Sequence, residues 1–181
     1  MNFLELVTNR QSVRKYLEKR VEREKIERCL EAARLSPSAC NSQPWKFIVV
    51  DKPELREKVA KATFSKVVSF NRFALSAPVL VVVVSENRNL AAKFGGMVKN
   101  IPYYLIDIGI AAEHFCLQAT EEGLGTCMIG WFKEKEIKDL LNVPNKNRIA
   151  LVITLGYPEQ SNIRKKQRKD LNTIMSYNKY S

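Results

Sequence analysis

Ser36-Pro-Ser-Ala-Cys-Asn-Ser-Gln-Pro-Trp45 is a polar turn that runs straight into the β-rich stretch from Trp45 to Val50. That strand closes at Asp51-Lys-Pro53, which doubles as a helix start, with Asp51 as the expected N-cap and Pro53 and Glu54 in the first turn. Working outward, Pro78 leads into Val79-Leu-Val-Val-Val-Val84, a strand apolar on both faces and therefore expected in the middle of its sheet. Residues 101–122 carry the longest helical pattern, in which Leu105, Ile106, Ile108, Ile110, Ala111, Ala112, Phe115, Cys116, Leu117 and Ala119 surround nearly the whole circumference. A helix apolar on almost every side must be buried on almost every side, and in so short a chain that favours burial partly against a second subunit. Gly123 is its expected stop. Residues 125–130 read as a short strand or turn, 133–141 as a helix and 149–155 as another interior strand. Upstream, residues 2–9 read as a short helix with Phe3, Leu4 and Val7 on one face, and 23–35 as a helix placing Ile26, Cys29, Leu30 and Ala33 inward.

With 181 residues, 45% of them hydrophobic, the chain can bury one good core, so residues 1–181 are expected to form a single domain. Its last part, 159–181, is polar and basic, and such a tail is disordered unless something anchors it. Met1-Asn-Phe-Leu-Glu5 runs directly into charged residues, so no export signal is read there, and a cytoplasmic location is expected. The longest apolar run, Ala77 to Val84, is too short to cross a bilayer as a helix, so no membrane partner is expected. Cys29, Cys40, Cys116 and Cys127 show no C-x-x-C spacing and His114 is the only histidine, which argues for thiols rather than a metal site. The excess of 30 Lys+Arg over 19 Asp+Glu gives +11, enough to attract nucleic acid without specificity. Yet the cations are spread along the chain, save a cluster from Arg164 to Lys169, and no nucleic-acid-binding signature accompanies them. A small basic nucleic-acid-binding protein is thus the alternative from a different class, and no specific nucleic-acid partner is expected.

Two segments carry anion chemistry. In Arg10-Gln-Ser12-Val-Arg14, alternate side chains of an extended segment project from one side, and arginine forks with a serine hydroxyl suit phosphate oxygens. Lys166 and Arg168 share a face of the extended tail, where a phosphate could hold it down. From spacing alone, a solvated basic loop and a flexible basic tail stay open for these two. Gly123-Leu-Gly-Thr-Cys-Met-Ile-Gly130 is not a dinucleotide fingerprint, because Met128 occupies the place of the third glycine and the segment follows a helix. Its glycines either let backbone pass close to a flat ligand or make a tight helix-to-strand turn, and the spacing favours the turn.

Taken in order, Arg-x-Ser-x-Arg at 10–14, Ser-Pro-Ser-x-x-Asn-Ser-Gln-Pro-Trp at 36–45, Gly-Leu-Gly with Ile-Gly at 123–130, Leu-Gly-Tyr-Pro at 155–158 and Arg-Lys-x-Leu at 168–171 resemble the flavin-dependent nitroreductase family. The resemblance spans residues 10–171, and the segment at 36–45 is its most specific part. It implies an α+β fold, with a mixed, mostly antiparallel sheet flanked by helices around a long buried central helix, in an intertwined homodimer with two FMN sites at the interface. Arg10 and Ser12 match positions that hold the FMN phosphate, and Lys166 and Arg168 match the basic pair of a tail that returns to it. Arg14 matches a cation near the pyrimidine edge or ribityl chain. Pro37, Ser38 and Ala39, with Asn41 in the same motif, match a loop that approaches the flavin from the partner subunit. Asn71 matches an amide contact to the isoalloxazine, and Ile129 and Gly130 match backbone facing flavin N5.

Two departures accompany the match. Gln11, counted with the cofactor-binding set, stands where a second arginine is common. Ala74 follows Phe73 where the family often has a lysine nearby, with Arg72 as the candidate substitute. The family's chemistry implies hydride from NADH or NADPH to flavin N5, then ping-pong transfer to a small electron acceptor such as a nitroaromatic or quinone; no side chain is required as acid or nucleophile, and none is assigned. Flavin destruction and reductive dehalogenation are alternative branches of the same fold. Residues 86–101 read as a long connection that either forms a lid, with Phe94 or Met97 over the exposed flavin face, or runs along the surface with Phe94 packed on its own core.

Overall fold

β1 (Trp45–Val50), β2 (Val79–Ser85), β3 (Gly125–Ile129) and β4 (Arg148–Gly156) form one antiparallel sheet in the order β1-β2-β4-β3. Around it lie α1 (Phe3–Asn9), α2 (Arg23–Arg34), α3 (Pro53–Lys61), α4 (Tyr103–Glu121), α5 (Glu134–Leu141) and α6 (Leu171–Ile174), with short 3-10 turns at Ala39–Asn41 and Arg72–Ser76. The computed structural model describes residues 1–86, 101–160 and 162–180. Phe94 and Met97, the candidates for covering the flavin, lie outside the described residues.

The uniform apolarity of β2 has its reason in its place. Every residue from Val79 to Ser85 is buried, because β1 and β4 flank the strand and helices cover both faces. Val79, Val81 and Val83 pack with Ile108, Ala111, Ala112 and Phe115 of α4 and with α2, while Leu80, Val82 and Val84 pack with Val59 and Ala60 of α3 and Ile137 of α5. The pleat thus divides one apolar run between two cores. The Phe115 ring stacks on Phe47, with centroids 6.2 Å apart.

α4 buries Ile108, Ala111, Ala112, Phe115, Cys116 and Ala119 at helical spacing, together with one charged residue, Asp107. The expected all-round burial is met on this face only: Leu105 and Ile106 are 44% and 52% exposed in the single chain. Past its end, Gly123 adopts φ 74°, Leu124 N–H reaches Ala119 O at 2.8 Å and Gly123 N–H reaches Thr120 O at 3.0 Å, a left-handed stop that glycine makes without strain. Asp51 is not the cap of α3. Pro53 takes the first helical position, so the cap falls on Lys52, which makes no side-chain cap bond.

One contact outside the sheet fixes the first anion-binding segment. Ser12 forms a parallel bridge with Thr126 of β3, and Val13 N–H donates to Thr126 O at 2.8 Å. Gly125 makes this approach possible, since a Cβ there would lie 2.6 Å from Val13 Cγ2. Gly125→Ala should therefore push residues 10–14 off β3 and cost about 1–3 kcal/mol by overpacking, read as a lowered midpoint of thermal unfolding. An unchanged midpoint would mean that the segment can shift aside without loss.

Candidate functional site

Arg10, Gln11, Ser12 and Arg14 meet Arg164, Lys165, Lys166 and Arg168 around a cleft of about 270 Å³ with no carboxylate in its lining. Chain positions more than 150 apart close this ring, and the anchors are specific. Gln11 Nε2 donates to Asn162 O at 3.0 Å, and Gln11 Oε1 accepts from Arg164 N–H and Nε, both at 3.2 Å. Arg164 Nη2 donates to Ser12 O, and Lys166 Nζ to Val7 O at 2.8 Å. The tail read as disordered without an anchor has one, and Gln11 acts as the pin where a second arginine would have added charge.

The electrostatics of the cleft are those of an anion site. Burial first, then the neighbouring Arg10 and Arg168, pull the Lys166 ammonium below its ordinary pKa, against the opposite pull of Glu113. Arg10 Nε lies 3.0 Å from Glu113 Oε1. Its N–H is not aligned on that oxygen, however, and the buried Nε makes no hydrogen bond. The Arg10 guanidinium thus lines the cleft with its Nε buried against Glu113, and anion binding falls to the parts of the cation ring that face the cleft.

The turn at 36–45 is a separate construction. Cys40, Asn41 and Gln43 all adopt the left-handed region, at φ 52°, 50° and 44°. Ser38 Oγ accepts from Gln43 N–H at 2.9 Å, Gln43 Nε2 donates to Asn41 Oδ1 at 3.0 Å, and Ser36 Oγ pairs with His114 Nδ1 at 2.8 Å. Pro37 and Asn41 are exposed, Ser38 and Ala39 half-buried, and none of the four lines the cation cleft of its own chain.

Asn71 is buried, and its Nδ2 donates to Thr63 O and Trp131 O, each at 3.1 Å. Both amide hydrogens are thereby taken, leaving Oδ1 as its remaining polar atom. This clamp lies one residue from Gly130, which is exposed, while Ile129 is buried in the sheet. A Cβ at Gly130 would meet nothing within 4 Å. Arg14 links the two regions: its guanidinium carbon sits 5.7 Å from the Phe73 ring centroid, in the turn that follows Asn71.

The three buried cysteines are held as thiols. Burial pushes Cys29 and Cys116 up to about 12, and raises Cys127 against the lowering by Arg14 and by Ser12. Among the described residues no group of His, Cys, Asp and Glu could hold a metal, and no helix is long and apolar enough to cross a membrane. Arg164 was read only as part of the basic cluster and not as the pin of the tail, and two contributors escaped sequence reasoning: Asp107 and Glu113, which brace the turn and Arg10 from α4. Asp107 left a signal, as the lone acid in an otherwise apolar stretch of helix.

The chain is similar to known proteins in both sequence and fold. The family model described as "Nitroreductase family" matches residues 7–72 and 68–157. A relative from Archaeoglobus fulgidus, provisionally named an NADH dehydrogenase/NAD(P)H nitroreductase, is 30% identical over 162 residues, covering 86% of this chain and 85% of its own. A solved nitroreductase family protein from Clostridium novyi NT superposes with TM-score 0.79 at 34% identity over 88% of each chain. An FMN-dependent nitroreductase from Clostridium difficile R20291 does so with TM-score 0.78 at 29% identity, covering 98% of this chain and 100% of that one.

Proposed function

Since the chain belongs to the nitroreductase family of oxidoreductases, we propose that it binds FMN and uses NADH or NADPH to reduce a small electron acceptor, such as a nitroaromatic or quinone. The observation that carries this reading is the cleft of cations with no carboxylate in its lining. Its donor set fits a phosphate monoester, with Arg10, Ser12, Lys166 and Arg168 as ligands and Gln11 holding the tail in place. Thr126, beside Ser12, and Gly130 stand about 13 Å apart along β3 at ordinary strand rise, so a ligand touching both must be longer than a bare phosphate.

Along that length, Arg14 meets the ribityl chain or pyrimidine edge. Asn71 Oδ1 accepts from the ring, Gly130 offers it exposed backbone, and Ile129 adjoins that backbone from the end of β3. FMN, when bound, supplies hydride chemistry at N5. The chain's own residues bind it, orient it and bias its charge; no side chain is assigned as a catalytic acid or nucleophile. Residues 1–181 act as one domain with 159–181 returning to the phosphate, and the place of action in this reading is the cytoplasm. Pro37, Ser38, Ala39 and Asn41 serve the partner's flavin in a homodimer. That reading is supported by their absence from the lining of their own chain's cleft and by the apolar residues exposed on α1 and α4.

The test is direct. The purified protein should be yellow, or become so with added FMN, and should bleach anaerobically with NADH or NADPH. An acceptor panel of nitroaromatics, quinones and halogenated phenols should then give parallel double-reciprocal lines with its preferred member. Halogenated phenols as the only oxidants would favour the dehalogenating branch, and a protein that takes up no FMN would overturn the reading.

A further inference from the structure

The buried carboxylate of Asp107 has no place in the function as stated. It is 4% exposed, on the inward face of α4, and among the described residues no lysine or arginine pairs with it. An unpaired buried charge is unfavourable unless hydrogen bonds replace its water. Those bonds come from one source: Oδ1 accepts from Ala39 N–H at 3.1 Å and Oδ2 from Ser42 Oγ at 3.4 Å. The two donors bracket Cys40 and Asn41, the consecutive left-handed residues of the turn.

The local sequence does not favour that conformation. No glycine stands at 40, 41 or 43, and only asparagine among the three tolerates the left-handed region readily. A turn of this kind persists when its surroundings over-determine it. Ser38 closes the turn internally through Gln43 N–H, and Asp107 ties it to α4. The same helix holds Ser36 through His114 and meets Arg10 through Glu113.

We propose that Asp107 is a positioning residue for the flavin: its carboxylate tethers residues 39–42 to α4 and so sets where Pro37, Ser38 and Ala39 meet the isoalloxazine. The inference rests on the FMN reading given above. The tether acts through hydrogen bonds and not through charge. Asparagine can keep both bonds, accepting from Ala39 N–H and donating to Ser42 Oγ, whereas alanine keeps neither.

The experiment compares Asp107→Ala, Asp107→Asn and Ser42→Ala. In the flavin-free proteins, amide hydrogen exchange of residues 38–43 should quicken by about tenfold or more in Asp107→Ala, the loss of a charged hydrogen bond expressed as an equilibrium. It should stay near wild type in Asp107→Asn and fall between in Ser42→Ala. In the FMN-loaded proteins, Asp107→Ala should lose less FMN affinity than Arg10→Ala, because the phosphate cleft is untouched while the contacts of the turn to the ring are loosened. Its visible circular dichroism of the flavin and its KM for the acceptor should change, both restored by Asp107→Asn. Unchanged exchange in Asp107→Ala overturns the proposal, as does an Asp107→Asn variant as impaired as alanine, which would make charge the agent. If Asp107→Ala does not fold, exchange at wild-type rate in Ser42→Ala overturns it equally. A chain that takes up no FMN overturns the proposed function instead, and the exchange arm alone then decides whether the tether exists.

Discussion

Arg10→Ala and Arg168→Ala are each expected to weaken FMN binding about tenfold or more, by removing a charge-assisted contact worth roughly 1.5–3 kcal/mol. The two should not add simply, since both guanidinium groups face one phosphate. Lys166 gives the same cleft a pH signature. Burial and the cations beside it lower its pKa from the usual 10.5, so in the empty site its ammonium begins to lose its proton below the ordinary lysine range. A phosphate dianion favours the charged form, so binding takes up a proton there, and affinity must fall as pH rises through that range. On the acid side affinity falls again near pH 6, where a phosphate monoester, with a second pKa of about 6, loses its second charge. Titrations of FMN into the flavin-free protein across pH should show both limbs, and Lys166→Met should flatten only the alkaline one. An alkaline limb that survives in Lys166→Met would remove Lys166 from the phosphate site, and unchanged affinity in both arginine variants would remove the site itself.

Phe115→Ala should be the most damaging single change to stability. The ring is fully buried, stacked on Phe47, and wedged between α4 and the β2 face that carries Val81 and Val83. Truncation of a large side chain so enclosed costs about 3–5 kcal/mol, because the cavity cannot be refilled by a sheet whose backbone is hydrogen-bonded on both sides. Denaturant unfolding of the flavin-free protein measures it. A loss below about 1 kcal/mol would show that α4 can settle onto the sheet, and α4 would then be a poor platform for Asp107 and Glu113.

How much of this was legible in the sequence depends on how local the cause is. β2 and the inward face of α4 could be read because burial on two faces, or on one stripe, writes a period into the residues themselves. The cap of α3 went to Lys52 because one proline, rather than the acid before it, sets the first turn. The anion cleft was legible as chemistry at Arg10, Ser12, Lys166 and Arg168, but not as a closed ring. What closes it is Gln11 and Arg164 meeting across most of the chain, and no local pattern encodes such a meeting. Asn71 shows the reverse case: its position was singled out for a ligand, while most of its hydrogen-bonding capacity goes to Thr63 and Trp131. The left-handed turn had no glycine to announce it, because a carboxylate on a distant helix does the work that glycine does elsewhere.

The chain order of the sheet sets a hazard during synthesis. β2 can pair with β1 as soon as both have emerged, but its other neighbour, β4, follows only after α4, β3 and α5. Until then Val79–Ser85 presents an open edge of unpaired amides and carbonyls on an uncharged, proline-free, valine-rich segment, the composition from which cross-β stacks nucleate. A second nascent chain offers that edge the same segment sooner than the parent chain offers β4. The strand that makes the finished core tight is therefore the one on which aggregation competes with folding. Protein concentration, rather than flavin supply, should limit the yield, because the phosphate cleft forms only when the tail beyond β4 has arrived.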